Sequence, residues 1–172
     1  MSVMTFSVET VYYICMTMEF KGVVKIILQV DSRERKCDHV TKYFDKQNIK
    51  WVRSKCVVGD YVNLENPMKV IDRKKDLQEV AGNVTQQHER FVRELELAND
   101  LGYEMIVLIE EPNIKSLAEV PKWYNWRRKK NRKAINGKTL WKIMSTMADK
   151  YNFRWEFTTH RNCGKRIVEL LK

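Results

Sequence analysis

The sequence predicts an α/β domain in which a mixed central β-sheet is flanked by helices. Three observations predict it. Residues 23–30 (VVKIILQV) and 105–109 (MIVLI) are nearly continuous apolar runs of strand length, as in strands covered on both faces. Residues 57–71 carry apolar side chains on either side of a turn, as a hairpin does. Apolar stripes at helical spacing, from Val84 to Ala98 and from Leu140 to Tyr151, supply the helices that cover a sheet.

In chain order, residues 1–20 stand apart as an N-terminal extension to a domain of residues 21–172. Their apolar stretch, 11–18, is too short to span a membrane and lacks the basic flank of a secretion signal. Met18 stands where a natural start would fall, just before the first strand. That strand delivers Asp31, Ser32, Arg33 and Glu34 to its end, the place where open α/β sheets carry their sites. The same residues also suit the cap of a following helix. Val40, Tyr43 and Phe44 mark a short helix within 38–48, and residues 51–58 lead into the hairpin.

The hairpin is the centre of the reading. Val57, Val58, Tyr61, Val62 and Leu64 suit its first strand, and Met68, Val70 and Ile71 its second. Glu65, Asn66 and Pro67 are turn residues. A three-residue loop centred on Asn66 sets Asp60 opposite Asp72, with Cβ atoms about 4.5–5.5 Å apart. Lys74 shares that face, and Arg73 points to the other. Two carboxylates so close repel unless a cation lies between them. Mg²⁺ takes such oxygen ligands, and a metal there can activate water and stabilise charge on a phosphodiester. Lys74 would orient the water or neutralise developing charge. The plainer reading is a solvated hairpin face of alternating charge.

Residues 76–81 predict a short helix broken at Gly82 and Asn83. Asn83 with Gln86 predicts a capping box for the next helix, whose apolar face is Val84, Phe91, Val92, Leu95 and Ala98. Gln86, Gln87, Glu89, Arg90 and Arg93 read as its solvated side. The 105–109 strand runs into Glu110 and Glu111 and stops at Pro112. Gly137 precedes a helix whose Met-rich stripe reads as core. Phe153, Trp155 and Phe157 alternate as in a half-buried strand, and Ile167 to Leu171 close the chain with a helix.

Of the 172 residues, 44% are hydrophobic, which excludes a disordered chain. The net charge of +10 is lopsided. Residues 122–172 hold 15 Lys/Arg against 3 Asp/Glu, whereas residues 1–121 hold 17 against 19. Such asymmetry suggests a polyanion, nucleic acid before membrane. Residues 121–133 (PKWYNWRRKKNRK) concentrate it: Lys122, Arg127, Arg128, Lys129, Lys130, Arg132 and Lys133, with Trp123 and Trp126 to stack unpaired bases. The alternative is a solvated loop whose aromatics pack on the domain. Four cysteines form no C-x-x-C pair. His160 and Cys163 share a helical face, but two ligands make no zinc site. Reduced thiols and a cytoplasmic location follow.

VDSRE (30–34), GDY (59–61) and VIDRKK (70–75) together resemble the XPF/Hef-type structure-specific nuclease domain. That family carries VDxRE, GDY and an acidic-Arg-Lys signature on consecutive core strands. The helix with Gln86 and Arg90, then MIVLIE, follow its order. GKTLWKIMSTMADKYNF (137–153) and CGKRIVELL (163–171) resemble its single-domain phage and prophage members. The resemblance implies a restriction-endonuclease-like core and a Mg²⁺- or Mn²⁺-dependent endodeoxyribonuclease. Its substrates would be flaps, forks or junctions, within DNA repair or recombination, in a host cytoplasm if the gene is a phage's. It assigns Asp31, Glu34, Asp60, Asp72, Arg73 and Lys74 to the active site, with Asp60, Asp72 and Glu34 on the metal. Asp72 stands where the family usually has Glu. The family's Asp four residues after the signature Lys is Gln78 here, leaving Asp76 or Glu79 as substitutes. The tandem helix-hairpin-helix domain of cellular members has no counterpart in this sequence, so a homodimer stays open. The rivals are a DNA-binding protein without catalysis and a Holliday-junction resolvase of the same core.

Overall fold

The computed structural model describes residues 26–172. The expected extension, residues 1–20, and the start of the predicted first strand lie outside the described residues. Six strands form one mixed sheet in the order β2-β1-β3-β4-β5-β6. They are β1 (Ile27–Asp31), β2 (Lys50–Ser54), β3 (Tyr61–Asn63), β4 (Asn66–Lys74), β5 (Glu104–Glu110) and β6 (Arg154–Thr158). The β3–β4 hairpin sits at the centre, antiparallel to β1 through β3 and parallel to β5 through β4. β1–β2 and β5–β6 are parallel pairs, so each needs a crossover. The first crossover is α1 (Asp38–Lys46). The β4–β5 connection holds α2 (Leu77–Asn83) and α3 (His88–Asp100), and the β5–β6 connection holds α4 (Gly137–Tyr151). α5 (Cys163–Leu171) ends the chain.

Period-two alternation divides the sheet between two cores. Val62, Val70, Met105, Val107 and Ile109 face α2, α3 and α4, where Leu77, Phe91, Leu95, Leu140 and Met144 meet them. Tyr61, Ile71, Ile106 and Leu108 face α1 and α5, against Phe44, Ile167 and Leu171. β5 is buried on both faces from Met105 to Glu110, as its unbroken apolar run predicts. β1 is not: Leu28 and Val30 are buried, but Ile27 and Gln29 keep partial exposure. No helix among the described residues is long and apolar enough to cross a membrane.

The hairpin differs from its prediction in an instructive way. The turn falls at residues 64–65, with Asn63 paired to Asn66, and Asn66 and Pro67 belong to β4. The Asn63 side chain explains the choice. Its Oδ1 accepts the Glu65 N–H at 3.1 Å, a local turn that asparagine favours. Its Nδ2 donates to the Leu171 carbonyl at 3.0 Å. The register then shifts between Val62 and Asn63, leaving residues 67–69 bulged from the β3 ladder. Beyond the bulge, Tyr61 pairs Ile71 and Val62 pairs Val70, the register that a loop centred on Asn66 would have given. The Asp60 N–H donates to the Ile71 carbonyl at 2.7 Å and extends the pairing toward Asp72. The predicted capping box is also absent. Asn83 ends α2 and donates its side-chain amide to Gln87 Oε1, while α3 starts at His88 without a side-chain cap. α2 does have a cap: Asp76 Oδ1 accepts the Glu79 N–H at 2.7 Å.

Candidate active site

The alternation of β4 sends Asp72 and Lys74 toward α3 and Arg73 toward α1 and α5. All three side chains are buried. Lys74 Nζ donates to Asp72 Oδ1 at 2.8 Å and lies 5.5 Å from the centre of the Phe91 ring. Asp72 Oδ2 is 2.6 Å from the same ammonium, yet buried without an aligned hydrogen bond. Asp60 completes the expected trio in one pocket with them. Its Oδ2 accepts the Arg73 N–H at 2.8 Å. Burial, then the nearby Asp72 charge, pushes the Asp60 carboxyl well above the usual carboxylate range. Burial alone would lower the Lys74 pKa, but Asp72 and Asp60 outweigh it and hold the ammonium charged.

A third carboxylate stands here that the sequence reading passed over. Glu94 lines the pocket from α3. Burial and then Asp72 push its pKa up, and the Gly59 amide is directed at it. Gly59 has φ +69°, and a Cβ there would meet the Ile71 carbonyl oxygen at 3.0 Å. Glycine therefore lets the chain pass close against β4 just before Asp60. The available signal for Glu94 was its position three residues after Phe91, on the edge of the apolar stripe. Arg90 and Arg93, read as solvated, also border this pocket. Three carboxylates thus lie about the Lys74 ammonium, with Arg90 and Arg93 at the rim, and one Asp72 oxygen lacks an aligned donor. The donors are all oxygen, the kind a hard divalent cation takes.

The remaining predicted residues are engaged elsewhere. Arg73 donates to Glu34 Oε1 at 2.8 Å, Glu110 Oε1 at 2.9 Å and the Lys36 carbonyl at 3.1 Å. Glu34 is thus held by Arg73 at the border of the pocket, and its charge still reaches Asp60. Asp31 accepts from the Arg33 N–H (2.6 Å), Arg33 Nε (2.9 Å), Arg33 Nη2 (2.8 Å) and the Cys56 N–H (2.8 Å). Burial opposes its ionisation, but these Arg33 and Cys56 contacts hold its pKa below the usual range. Asp31 therefore ties the end of β1 to the loop that carries Gly59 and Asp60, and its N–H donates to the Asp60 carbonyl at 2.8 Å. Of the two substitutes for the residue at Gln78, Asp76 is spent on its helix cap. Glu79 accepts the Lys75 N–H at 3.0 Å and borders the pocket.

A cleft leads from Glu34, Arg73 and Arg90 to Trp126 and Arg127, so the basic segment adjoins the carboxylates. The segment is folded, with 3₁₀ turns at Leu117–Lys122 and Trp126–Lys129. Buried Asn125 organises it, donating to the Ile135 carbonyl and accepting the Arg127 N–H. Trp126 is 56% exposed, with the Arg127 guanidinium 5.8 Å from its ring centre. Trp123 packs against the core, and Arg128 is tied to the Ala134 carbonyl. Lys122 lies 3.7 Å from Glu119, whereas Lys129, Lys130, Arg132 and Lys133 are exposed.

The central hairpin, the parallel strand pairs β1–β2 and β5–β6 beside it and the flanking helices make up an α/β fold of the XPF type. Two solved structures share it. XPF from Aeropyrum pernix superposes with a TM-score of 0.61 at 17% identity, over 84% of this chain and 63% of that one. XPF from Aeropyrum pernix in complex with DNA gives 0.60 at 18% identity, over 85% and 63%. This chain thus spans less than two thirds of that protein's length. The sequence matches no family model and no curated protein.

Proposed function

We propose that this chain is a Mg²⁺- or Mn²⁺-dependent endodeoxyribonuclease that hydrolyses phosphodiesters in branched DNA. The observation that carries the reading is the cluster of Asp60, Asp72 and Glu94 around a single buried Lys74. Asp60 and Asp72 would hold the metal, with Glu94 beside them and Glu34 at the rim. When bound, the metal supplies water activation and charge stabilisation at phosphorus. Lys74, held charged by Asp72, neutralises charge developing on the phosphate oxygens. Arg73 acts at one remove: its N–H fixes Asp60 and its guanidinium fixes Glu34. Asp31 positions the Asp60 loop. Arg90 and Arg93 flank the pocket as phosphate contacts, and Trp126 offers a face for an unpaired base at the far end of the cleft. The Aeropyrum pernix structure bound to DNA supports DNA as the polyanion. The proposed setting is DNA repair or recombination.

The experiment is a panel of end-labelled flap, fork, four-way junction and plain duplex DNA, each with Mg²⁺, Mn²⁺ or EDTA. The expected outcome is cleavage with metal only, near the branch, and little on plain duplex. Preferred symmetrical cutting of the four-way junction would make the chain a resolvase. Tight binding with no cleavage under any metal would leave a DNA-binding protein without chemistry.

A further inference from the structure

We propose that His39, Glu110 and His160 form a second metal centre, apart from the carboxylate pocket and suited to Zn²⁺. Three elements deliver it: the first turn of α1, the end of β5 and the 3₁₀ turn His160–Asn162 before α5. His39 Nε2 lies 2.6 Å from Glu110 Oε1, and His160 Nδ1 lies 2.7 Å from Glu110 Oε2. One ligand atom from each residue falls within 4.8 Å of the others. Two imidazole nitrogens and one carboxylate oxygen are a set that Zn²⁺ takes with a fourth position left open. Asp60, Asp72 and Glu94 offer oxygen alone, so the two centres select different ions.

The ion pairs leave room for a cation. Glu34 and Glu110 share the single guanidinium of Arg73, which leaves one negative charge over if both imidazoles are neutral. The two rings stack with centroids 3.7 Å apart, and both aim a nitrogen at one carboxylate. A single divalent ion meets both nitrogens and the carboxylate together. Each ring would bind through the nitrogen that now faces Glu110, its proton residing on the other ring nitrogen. Glu110 keeps lone pairs for Arg73 Nη1, a partner of the kind that orients a metal-bound carboxylate. The Glu110 side chain is 3% exposed, and that of His160 is 70% exposed at the cleft with Glu34, Lys36 and Arg73. The open position therefore faces the cleft, and the ion would pin α1 and the start of α5 to the end of β5.

The test is equilibrium dialysis against Zn²⁺ alone, with no DNA, on the Asp60→Asn/Asp72→Asn protein, in which the carboxylate pocket is disabled. It is thereby independent of the nuclease reading. The expected result is one Zn²⁺ per chain, with X-ray absorption showing two imidazole nitrogens in its first shell. Adding His160→Ala, the loss of a mostly exposed side chain, should weaken binding about a hundredfold or more, and His39→Gln should do the same. No bound Zn²⁺, a first shell without imidazole, or equal affinity after His160→Ala would overturn the proposal. The two rings would then be hydrogen-bond partners of Glu110 only. The absorption measurement needs no substitution in the cluster, so it decides even where a variant folds poorly.

Discussion

On one face of β4, Asp72 and Lys74 meet Asp60 and Glu94 beneath α3; on the other, Arg73 lies between Glu34 and Glu110 beneath α1 and α5. The first face carries three carboxylates for one ammonium, with an Asp72 oxygen that has no aligned donor. On the second face, Arg73 donates to two carboxylates and a backbone carbonyl, and both Glu110 oxygens are engaged by histidines. One residue step along a strand thus separates carboxylates gathered about an ammonium from carboxylates bridged by a guanidinium. Substitutions on the two faces should therefore fail differently: the Arg73 side in stability, the Asp72 side in rate.

The largest effect expected is on the Arg73 face. Arg73→Met keeps the length of the side chain but strips buried Glu110 and half-buried Glu34 of their shared partner. Breaking a buried ion pair from one side costs about 3–5 kcal/mol. The midpoint of urea unfolding should fall accordingly, and the N–H that fixes Asp60 should survive because it belongs to the backbone. A variant as stable as the parent would show that Arg73 is not the keystone of this face.

Next comes Asp72→Asn. It removes a charge from the proposed metal site while keeping the shape of the side chain, and Asp60 and Glu94 remain beside Lys74 to offset its charge, so folding and DNA binding should be largely retained. Cleavage should fall by at least about 10²–10³-fold, the scale seen when one group aimed at transition-state charge is lost. Single-turnover rates at saturating DNA measure it. Near-normal cleavage would place the chemistry elsewhere and dissolve the contrast between the faces.

Much of the first face was legible in the sequence, because strand alternation alone puts Asp60, Asp72 and Lys74 together and turns Arg73 away. The route to it was partly wrong. The turn at residues 64–65 follows from the Asn63 side chain, and the bulge at 67–69 restores the register the wrong turn implied. Glu94 was illegible because nothing in a helical stripe says which acid at its edge will reach a neighbouring strand. The His39–Glu110–His160 cluster was illegible for a stronger reason. Each residue comes from a separate element, so no spacing connects them, and only the packing of α1 and the 160–162 turn against the end of β5 does. Glu34 and Asp31 were placed at the correct strand end. Their partners, Arg73 and Arg33, decide what they do, and those pairings depend on loop geometry.

A smaller effect should come from the basic segment, the proposed hold on DNA. Each phosphate neutralised contributes about 0.9 to the slope of log affinity against log salt. Changing Arg127, Arg128, Lys129 and Lys130 to Ser should flatten that slope by about 2–3 units, since Arg128 is partly committed to Ala134. Saturating DNA should then restore most of the cleavage rate, because none of these residues lies in the carboxylate pocket. An unchanged slope across a salt series would mean that these side chains touch no phosphate.

The smallest effect, and the sharpest test of the contrast, is a gain in stability from Asp60→Asn. Burial and the Asp72 charge raise the Asp60 pKa in the folded state. An acid whose folded pKa lies above its unfolded value, about 3.9, binds its proton more tightly when folded. Its contribution to stability is full below that unfolded value and is lost as pH rises through the folded pKa. In EDTA at pH 8 the parent therefore carries an unfavourable charge that the asparagine variant lacks, while the amide oxygen still accepts the Arg73 N–H. The variant should melt about 2–4 °C higher there, the size expected for ~1 kcal/mol in a domain of this length. The gap should close as the pH falls toward 4. It should reverse in saturating Mg²⁺, which binds and stabilises only the parent. A parent that melts higher than the variant in EDTA at pH 8 would mean that Asp60 is already compensated. The α3 side of β4 would then need no cation.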